Sequence, residues 1–234
     1  GYVLAPRINA AGRMGSAQTA VQLLMTDSPE EAERYAEQLC QLNRERQRIE
    51  NELYKQAQAM FVSNFTAGGV IVLAGEHWHQ GVIGIVASRM AERCSAPAFM
   101  ISLDGDIGKA SCRSYGGFNL FQALETAGNL LESCGGHALA AGFTIRRENI
   151  PAFHKLMDQL YREYSGGRAI ESELNIDCEI KDLSLLDLEC VAGLNVLEPF
   201  GSGNPPAMMC IMDMEVQAAA DVGGGKHLKL ILSK

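Results

Sequence analysis

No stretch of this sequence approaches the roughly 18 consecutive apolar residues that a helical membrane span requires. The opening residues, Gly1-Tyr2-Val3-Leu4-Ala5-Pro6, also lack the basic region, apolar core and cleavage site of a signal peptide. There is no initiator methionine, so Gly1 is read as an arbitrary beginning. Seven cysteines (Cys40, Cys94, Cys112, Cys134, Cys178, Cys190 and Cys210) are scattered without a Cys-x-x-Cys pair. Their odd number and wide spacing argue against a zinc ribbon or a disulfide framework and for free thiols in a reducing compartment. Tryptophan occurs once, and aromatic residues make up only 6% of the chain. No excess of basic charge is available for a generic nucleic-acid coat, because the formal net charge is −8. A P-loop is also missing, since the glycine spacing before Lys109-Ala110-Ser111 is wrong for one.

What is present describes an ordinary folded protein. Its 234 residues, 47% hydrophobic and 21% charged, suffice for one large or two small domains with real cores. The charge is uneven: residues 1–168 carry 16 Lys+Arg against 17 Asp+Glu, whereas residues 169–234 carry 4 against 11. Acidity therefore belongs to the tail.

Residues 1–26 read as a turn stiffened by Pro6 and then a helix with Ala17, Ala20, Val21, Leu24 and Met25 at helical spacing. Ser28-Pro29-Glu30-Glu31 is a capping box that opens a long helix, with Tyr35, Leu39, Leu42, Ile49 and Leu53 near a seven-residue repeat. Around Arg44-Glu45-Arg46-Gln47-Arg48 the helix becomes almost wholly polar, as a solvated face or one turned to nucleic acid. After Asn64-Phe65-Thr66-Ala67-Gly68-Gly69 the pattern changes to α/β. Val70–Ala74 and Ala98–Ser102 read as parallel strands joined by a helix over Val82–Ala91. Asp104-Gly105-Asp106 marks a hairpin turn, Phe118 to Leu131 a helix, and Pro151 to Tyr164 another. Tyr164–Arg168 reads as a linker to a tail of short strands: Leu174–Ile180, Ala207–Ala218 and His227–Leu232, with a short helix over Leu183–Leu194.

Two stretches offer anion-binding chemistry. Cys134-Gly135-Gly136-His137-Ala138-Leu139-Ala140-Ala141-Gly142 begins with two glycines that can turn backbone N–H groups to one point, followed by an imidazole donor. A glycine turn entering a buried strand, with His137 as a satisfied core histidine, is the alternative. In Lys109-Ala110-Ser111-Cys112-Arg113-Ser114, strand alternation puts Ser111 and Arg113 on one face and Cys112 and Ser114 on the other. A guanidinium beside a hydroxyl can receive a terminal phosphate; a structural ion pair for Arg113 is the competing reading. Arg7, Asn9 and Arg13 are the polar members of the first stretch, fit either for phosphate contact or for pinning a domain boundary. Trp78 stands between His77 and His79, where it could stack on a base or cover the core, and the two histidines lack companions at metal-ligand spacing.

Gly135-Gly136-His137 followed by Ala140-Ala141-Gly142 resembles the signature of the DHH-associated substrate domain of the Asp-His-His phosphoesterase superfamily. Within it, Ala5-Pro6-Arg7-Ile8-Asn9-Ala10-Ala11-Gly12-Arg13-Met14 and Leu197-Glu198-Pro199-Phe200-Gly201-Ser202-Gly203-Asn204-Pro205 resemble the RecJ family of single-strand-specific exonucleases. The resemblance implies an α/β substrate domain preceded by a long connecting helix and followed by a mostly-β, incomplete OB-like module. Its implied divisions are residues 1–27 (end of the catalytic domain), 28–65 (connecting helix), 66–166 (substrate domain) and 167–234 (OB-like module).

As function, the resemblance implies part of a 5′-to-3′ exonuclease of DNA repair and recombination, cytoplasmic and bacterial, that binds single-stranded DNA without a membrane. A single-strand-binding protein or a helicase would be its protein partner. Ser111, Arg113, Ser114, Gly135, Gly136, His137, Arg7, Asn9 and Arg13 are the implied substrate and phosphate contacts. Manganese or magnesium would be bound by Asp and His ligands of a preceding domain, because no Asp-His-His triplet occurs here. Neither catalytic residues nor metal ligands are therefore expected in this chain, which alone should be inactive. In the tail, Lys226, His227 and Lys229 are the expected strand contacts, with Phe200 as its one aromatic. Two alternatives remain: a phosphodiesterase of the same superfamily acting on short oligonucleotides or cyclic dinucleotides, and a non-catalytic adaptor for DNA or a replication partner.

Overall fold

Ser28 sets the start of the longest element. Its Oγ accepts the N–H of Glu31 at 3.3 Å, while its own N–H donates to Thr26 Oγ1 and Thr26 Oγ1 donates to Glu31 Oε2 at 2.7 Å. The capping box is thus relayed through Thr26 and not closed by Glu31 directly. From Pro29 the helix α3 runs to Asn64, 36 residues or about 54 Å at about 1.5 Å per residue. The computed structural model describes residues 2–64, 68–168, 170, 174–201, 203–225 and 227–234. The expected changeover at Phe65–Ala67, Ser202 of the third motif and Lys226 lie outside these.

Residues Gly1–Ser172 form one compact unit and Glu173–Lys234 a second. In the first, the motif expected as a turn is helical: α1 spans Leu4–Met14 and α2 Gln18–Met25. Pro6 falls in the first turn of α1, where its missing N–H would have no intrahelical acceptor, so it is compatible with the helix. Ala11 and Ala20 pack on Leu39 of α3, with Ile8, Leu23 and Leu42 around them. Farther along α3, Leu53, Tyr54 and Ala57 join a different cluster under the sheet domain. That division explains a helix too long for one core. The polar middle is largely ion-paired: Glu50 takes Arg46 at 2.5 Å and Arg89 from outside the helix at 2.9 Å, and Arg48 holds Glu45 and Glu52, each at 2.7 Å.

The sheet has the order β1-β2-β3-β5-β4. Strand β1 (Ile71–Glu76) and β2 (Ala98–Asp104) are parallel, joined through α4 (Gln80–Cys94), as the crossover pattern predicts. Strand β3 (Ile107–Arg113) returns antiparallel after the Gly105 turn, whose φ is +60°. The helix expected from Phe118 to Leu131 is shorter: α5 covers Leu120–Thr126, a 3-10 turn follows, and Leu131–Gly136 is strand β4. Gly128 and Asn129, weak helix formers, stand where α5 gives way. Strand β5 (Ala140–Arg146) then lies between β3 and β4, and α6 (Ile150–Ser165) follows.

Two cores result. Phe99, Ile101, Cys112, Phe143 and Ile145 meet α5 and α6 on one face, where Phe153 and Met157 are fully buried. On the other, Ile71, Leu73, Ala98 and Met100 meet α4 through Val82, Ile83, Val86 and Met90.

The second unit holds two separate strand pairs. Strands β6 (Cys178–Glu179) and β7 (Met209–Cys210) are parallel, and β8 (Glu215–Val222) and β9 (His227–Ser233) form a hairpin. The strand expected over Leu174–Ile180 shrinks to two residues. In place of one helix over Leu183–Leu194 there are a 3-10 turn, α7 (Leu188–Gly193) and a second 3-10 turn.

Candidate phosphate site

Strand alternation, as expected, carries Ser111 and Arg113 to the face under α4 and buries Cys112 on the other. Arg113 folds back along its strand, its Nη1 donating to Ser111 Oγ at 3.3 Å and to the Cys112 carbonyl at 2.7 Å. No carboxylate pairs with it among the described residues, so the structural ion pair is not what holds it. The helix above has a glycine at the point of contact. A Cβ on Gly84 would stand 2.8 Å from Ser111 Oγ and 3.1 Å from Arg113 Nη2, so only glycine leaves that space open.

One turn earlier, Gly81 is pressed by α1: a Cβ there would lie 2.0 Å from the Arg13 carbonyl oxygen, and Arg13 Nη1 donates to the Gly81 carbonyl at 3.3 Å. Two glycines of α4, at i and i+3, thus bring Arg13 and Arg113 against the same side of the helix. Burial holds the Arg113 guanidinium below its ordinary pKa, and the neighbouring Arg13 charge adds to that, against an opposing contribution from Cys112. The sequence marks neither glycine by residue type alone. Their i, i+3 spacing was the available signal.

The other named residues separate. Arg7 turns away to Cys40 Sγ, at 3.2 Å, and to the Val3 carbonyl, fastening α1 to α3. Asn9 is exposed on α1. Ser114 spends its hydroxyl on the Phe118 carbonyl at 2.6 Å, bracing the loop that follows Arg113. Gly135 and Gly136 end β4, paired with Gly142 and Ala141, and His137 begins the hairpin tip. His137 is exposed, and its Nδ1 accepts the Leu139 N–H at 3.3 Å; it is not a core histidine.

Across the sheet Ser111 pairs with Gly142 and Gly142 with Gly135. Residues paired across strands share a face, so a floor without side chains extends from Ser111 over two strands. Ser114 of Arg113's loop is tied to the hairpin by its N–H to the Leu139 carbonyl. Guanidinium, hydroxyl and open floor together suit a phosphorylated chain end.

Residues 67–163 match the DHHA1 domain and residues 176–234 the RecJ OB domain. The single-stranded-DNA-specific exonuclease RecJ of Bacillus subtilis is 33% identical over 99% of this chain, which covers 30% of that protein. Crystal structures of RecJ from Thermus thermophilus, in complex with Mg2+ and with Mn2+, superpose over 98% of the chain with TM-scores of 0.83 and 0.84 at 32% identity, the chain covering 35% and 34% of them. The chain carries the DHHA1 and RecJ OB domains and is similar to these RecJ proteins over nearly its whole length. It spans about a third of the length of these RecJ proteins.

Set against the Mg2+ and Mn2+ of the solved RecJ structures, the described residues of this chain do not fit a divalent-ion site. Among those described, no group of three His, Cys, Asp or Glu side chains is placed to hold a metal ion. His79 uses Nδ1 to accept the Gly81 N–H as the cap of α4, and His77 occupies a left-handed turn at φ +54°. Trp78 is 6% exposed, covers Gly75 and donates Nε1–H to Gln56 Oε1 at 2.9 Å, which makes it a core residue and not a base-stacking platform.

In the RecJ OB region Asn204 accounts for much of the third motif. Its side chain donates to the carbonyls of Leu197 (2.9 Å) and Pro199 (3.0 Å), and its backbone pairs both ways with Gly201. His227 and Lys229 are exposed on one face of β9, and Phe200 is 37% exposed. Among the described residues no helix is long and apolar enough to cross a membrane.

Proposed function

We propose that this chain is the end-binding part of a single-strand-specific 5′-to-3′ exonuclease, in which Ser111, Arg113 and Arg13 grip the terminal 5′ phosphate. Half-buried Arg113, without a carboxylate partner and set beside Ser111 under Gly84, is the observation that carries the reading. A guanidinium in that setting has donors to spare and a charge in need of an anion. The floor formed by Gly142 and Gly135 would receive the first nucleotide, and His137 Nε2 at the hairpin tip would supply a further donor. The open floor offers no side chain to read a base, as suits an enzyme indifferent to sequence.

On this reading residues 1–27 close the catalytic domain, 28–65 connect, 66–166 bind substrate and 167–234 form the OB-like module. Asp and His ligands outside the chain would hold the Mn2+ or Mg2+ that activates water. The parent enzyme would work in the bacterial cytoplasm on DNA in repair and recombination, with a single-strand-binding protein or a helicase as partner. Ser114, Asn9 and Arg7 would act by holding the loop and α1 in place.

The test is fluorescence anisotropy at low salt, because phosphate contacts weaken steeply with ionic strength. Single-stranded oligonucleotides with a 5′ phosphate should bind more tightly than those with a 5′ hydroxyl, and Arg113→Ala should abolish the difference. Equal binding of both ends by the unaltered chain would refute the assignment.

A further inference from the structure

Arg13 and Arg113 belong to different segments, α1 and β3, and both lie against the first turns of α4. Seven other arginines of the first unit, Arg34, Arg46, Arg48, Arg89, Arg146, Arg147 and Arg162, each pair with a carboxylate. Among the described residues Arg13 and Arg113, like Arg7, have only neutral acceptors: the Gly81 carbonyl for Arg13, Ser111 Oγ and the Cys112 carbonyl for Arg113. Two like charges against one side of α4, one of them half-buried, oppose the contact that brings them together. Otherwise α1 is held by a small apolar cluster with α2 and α3, by Arg7 on Cys40, by Met14 against the cluster under α4, and by the glycine contact at Gly81.

We infer that the terminal phosphate is the counter-ion that fastens α1 to the sheet, joining Arg13 to Arg113 across α4, so that holding a DNA end and closing the α1–α4 contact are one equilibrium. The inference rests on the end-phosphate reading above. A phosphomonoester carries close to two negative charges at neutral pH. Placed between the guanidiniums it reverses the sign of their interaction, and a ligand that binds only the closed contact stabilises it by the free energy of binding. It follows that Arg13 costs stability in the free chain and returns it when an end is bound. A residue serving only to hold the fold would do the reverse.

Hydrogen exchange and thermal melting of the 234-residue chain distinguish these roles. The chain is compared in potassium phosphate and in potassium chloride of matched ionic strength, and with 5′-phosphorylated and 5′-hydroxyl oligothymidylate. Phosphate and the phosphorylated strand should slow exchange in Leu4–Met14 and raise the melting temperature, and the hydroxyl strand should do neither. Arg13→Gln should weaken binding of the phosphorylated end about tenfold, as loss of one charged donor implies, yet melt no lower than the unaltered chain without ligand. Arg113-dependent end binding that leaves α1 exchange unchanged would overturn the clamp and preserve the end-binding reading. So would an Arg13→Gln chain that melts lower when unliganded. Equal anisotropy for the two kinds of end would remove both.

Discussion

Gly84 is the residue on which the geometry of the site turns. Its replacement by alanine improves helix propensity by about 1 kcal/mol, but puts a methyl group 2.8 Å from Ser111 Oγ and 3.1 Å from Arg113 Nη2. Arg113 must then give way from the hydroxyl. Gly84→Ala should reduce affinity for a 5′-phosphorylated end by roughly tenfold, the scale of one charge-assisted hydrogen bond, with the circular dichroism of the chain unchanged. Unaltered affinity would mean that the anion does not approach from this side. On the opposite face of the same strand, Cys112 is fully buried and burial pushes its thiol pKa far up. The thiolate is accessible only to the unfolded state, so the folded chain keeps a proton that the unfolded chain loses. Stability from this residue is complete below the ordinary thiol pKa and declines as pH rises past it. A thiol reagent should therefore modify exposed Cys134, Cys178 and Cys190 in the native chain and Cys112 only on denaturation.

At the scale of elements, the β4–β5 hairpin separates two adjacent glycines that the sequence presents as equals. Gly136 has φ +141°, and a Cβ on it would meet Ala141 Cα at 2.5 Å and the Ala140 carbonyl oxygen at 2.6 Å, both backbone atoms. Nothing lies within 4 Å of a Cβ on Gly135. Gly136→Ala should cost roughly 1–3 kcal/mol of stability, lowering the melting temperature by about 3–10 °C, whereas Gly135→Ala should melt within about 2 °C of the parent. Equal shifts would show that the hairpin relaxes around either substitution.

The hairpin also marks where sequence reasoning stopped. Ser28-Pro29 announced α3, and the apolar runs after residue 69 announced β1, α4 and β2, because capping and burial leave local signals. Strand β4 left none: Leu131, Cys134, Gly135 and Gly136 include no β-branched residue, and the apolar spacing of α5 runs on into Leu131. Pro6 pointed to a turn because proline breaks helix interiors, and only the position of α1 puts it in a first turn. Of the site, Ser111 and Arg113 followed from period-two alternation. The approach of Arg13 could not, since it depends on α1 meeting α4 far along the chain.

For the whole molecule, the question is whether end binding and bond cleavage can be separated. Hydrolysis of a phosphodiester needs a group that activates water and one that stabilises the leaving oxygen, tasks that paired divalent ions perform in many nucleases. The described residues offer Ser111, Arg113, Arg13 and exposed His137, which can bind a phosphate but include no trio of metal ligands. The chain should accordingly release no nucleotides from 5′-phosphorylated single-stranded DNA in the presence of Mn2+. In excess it should instead slow digestion of that strand by an unrelated exonuclease acting from the 5′ end, and Arg113→Ala should not protect. Gel analysis of both reactions tests the division of labour. Sustained Mn2+-dependent digestion that co-purifies with the chain and disappears in Arg113→Ala would place the chemistry, as well as the grip, within these 234 residues.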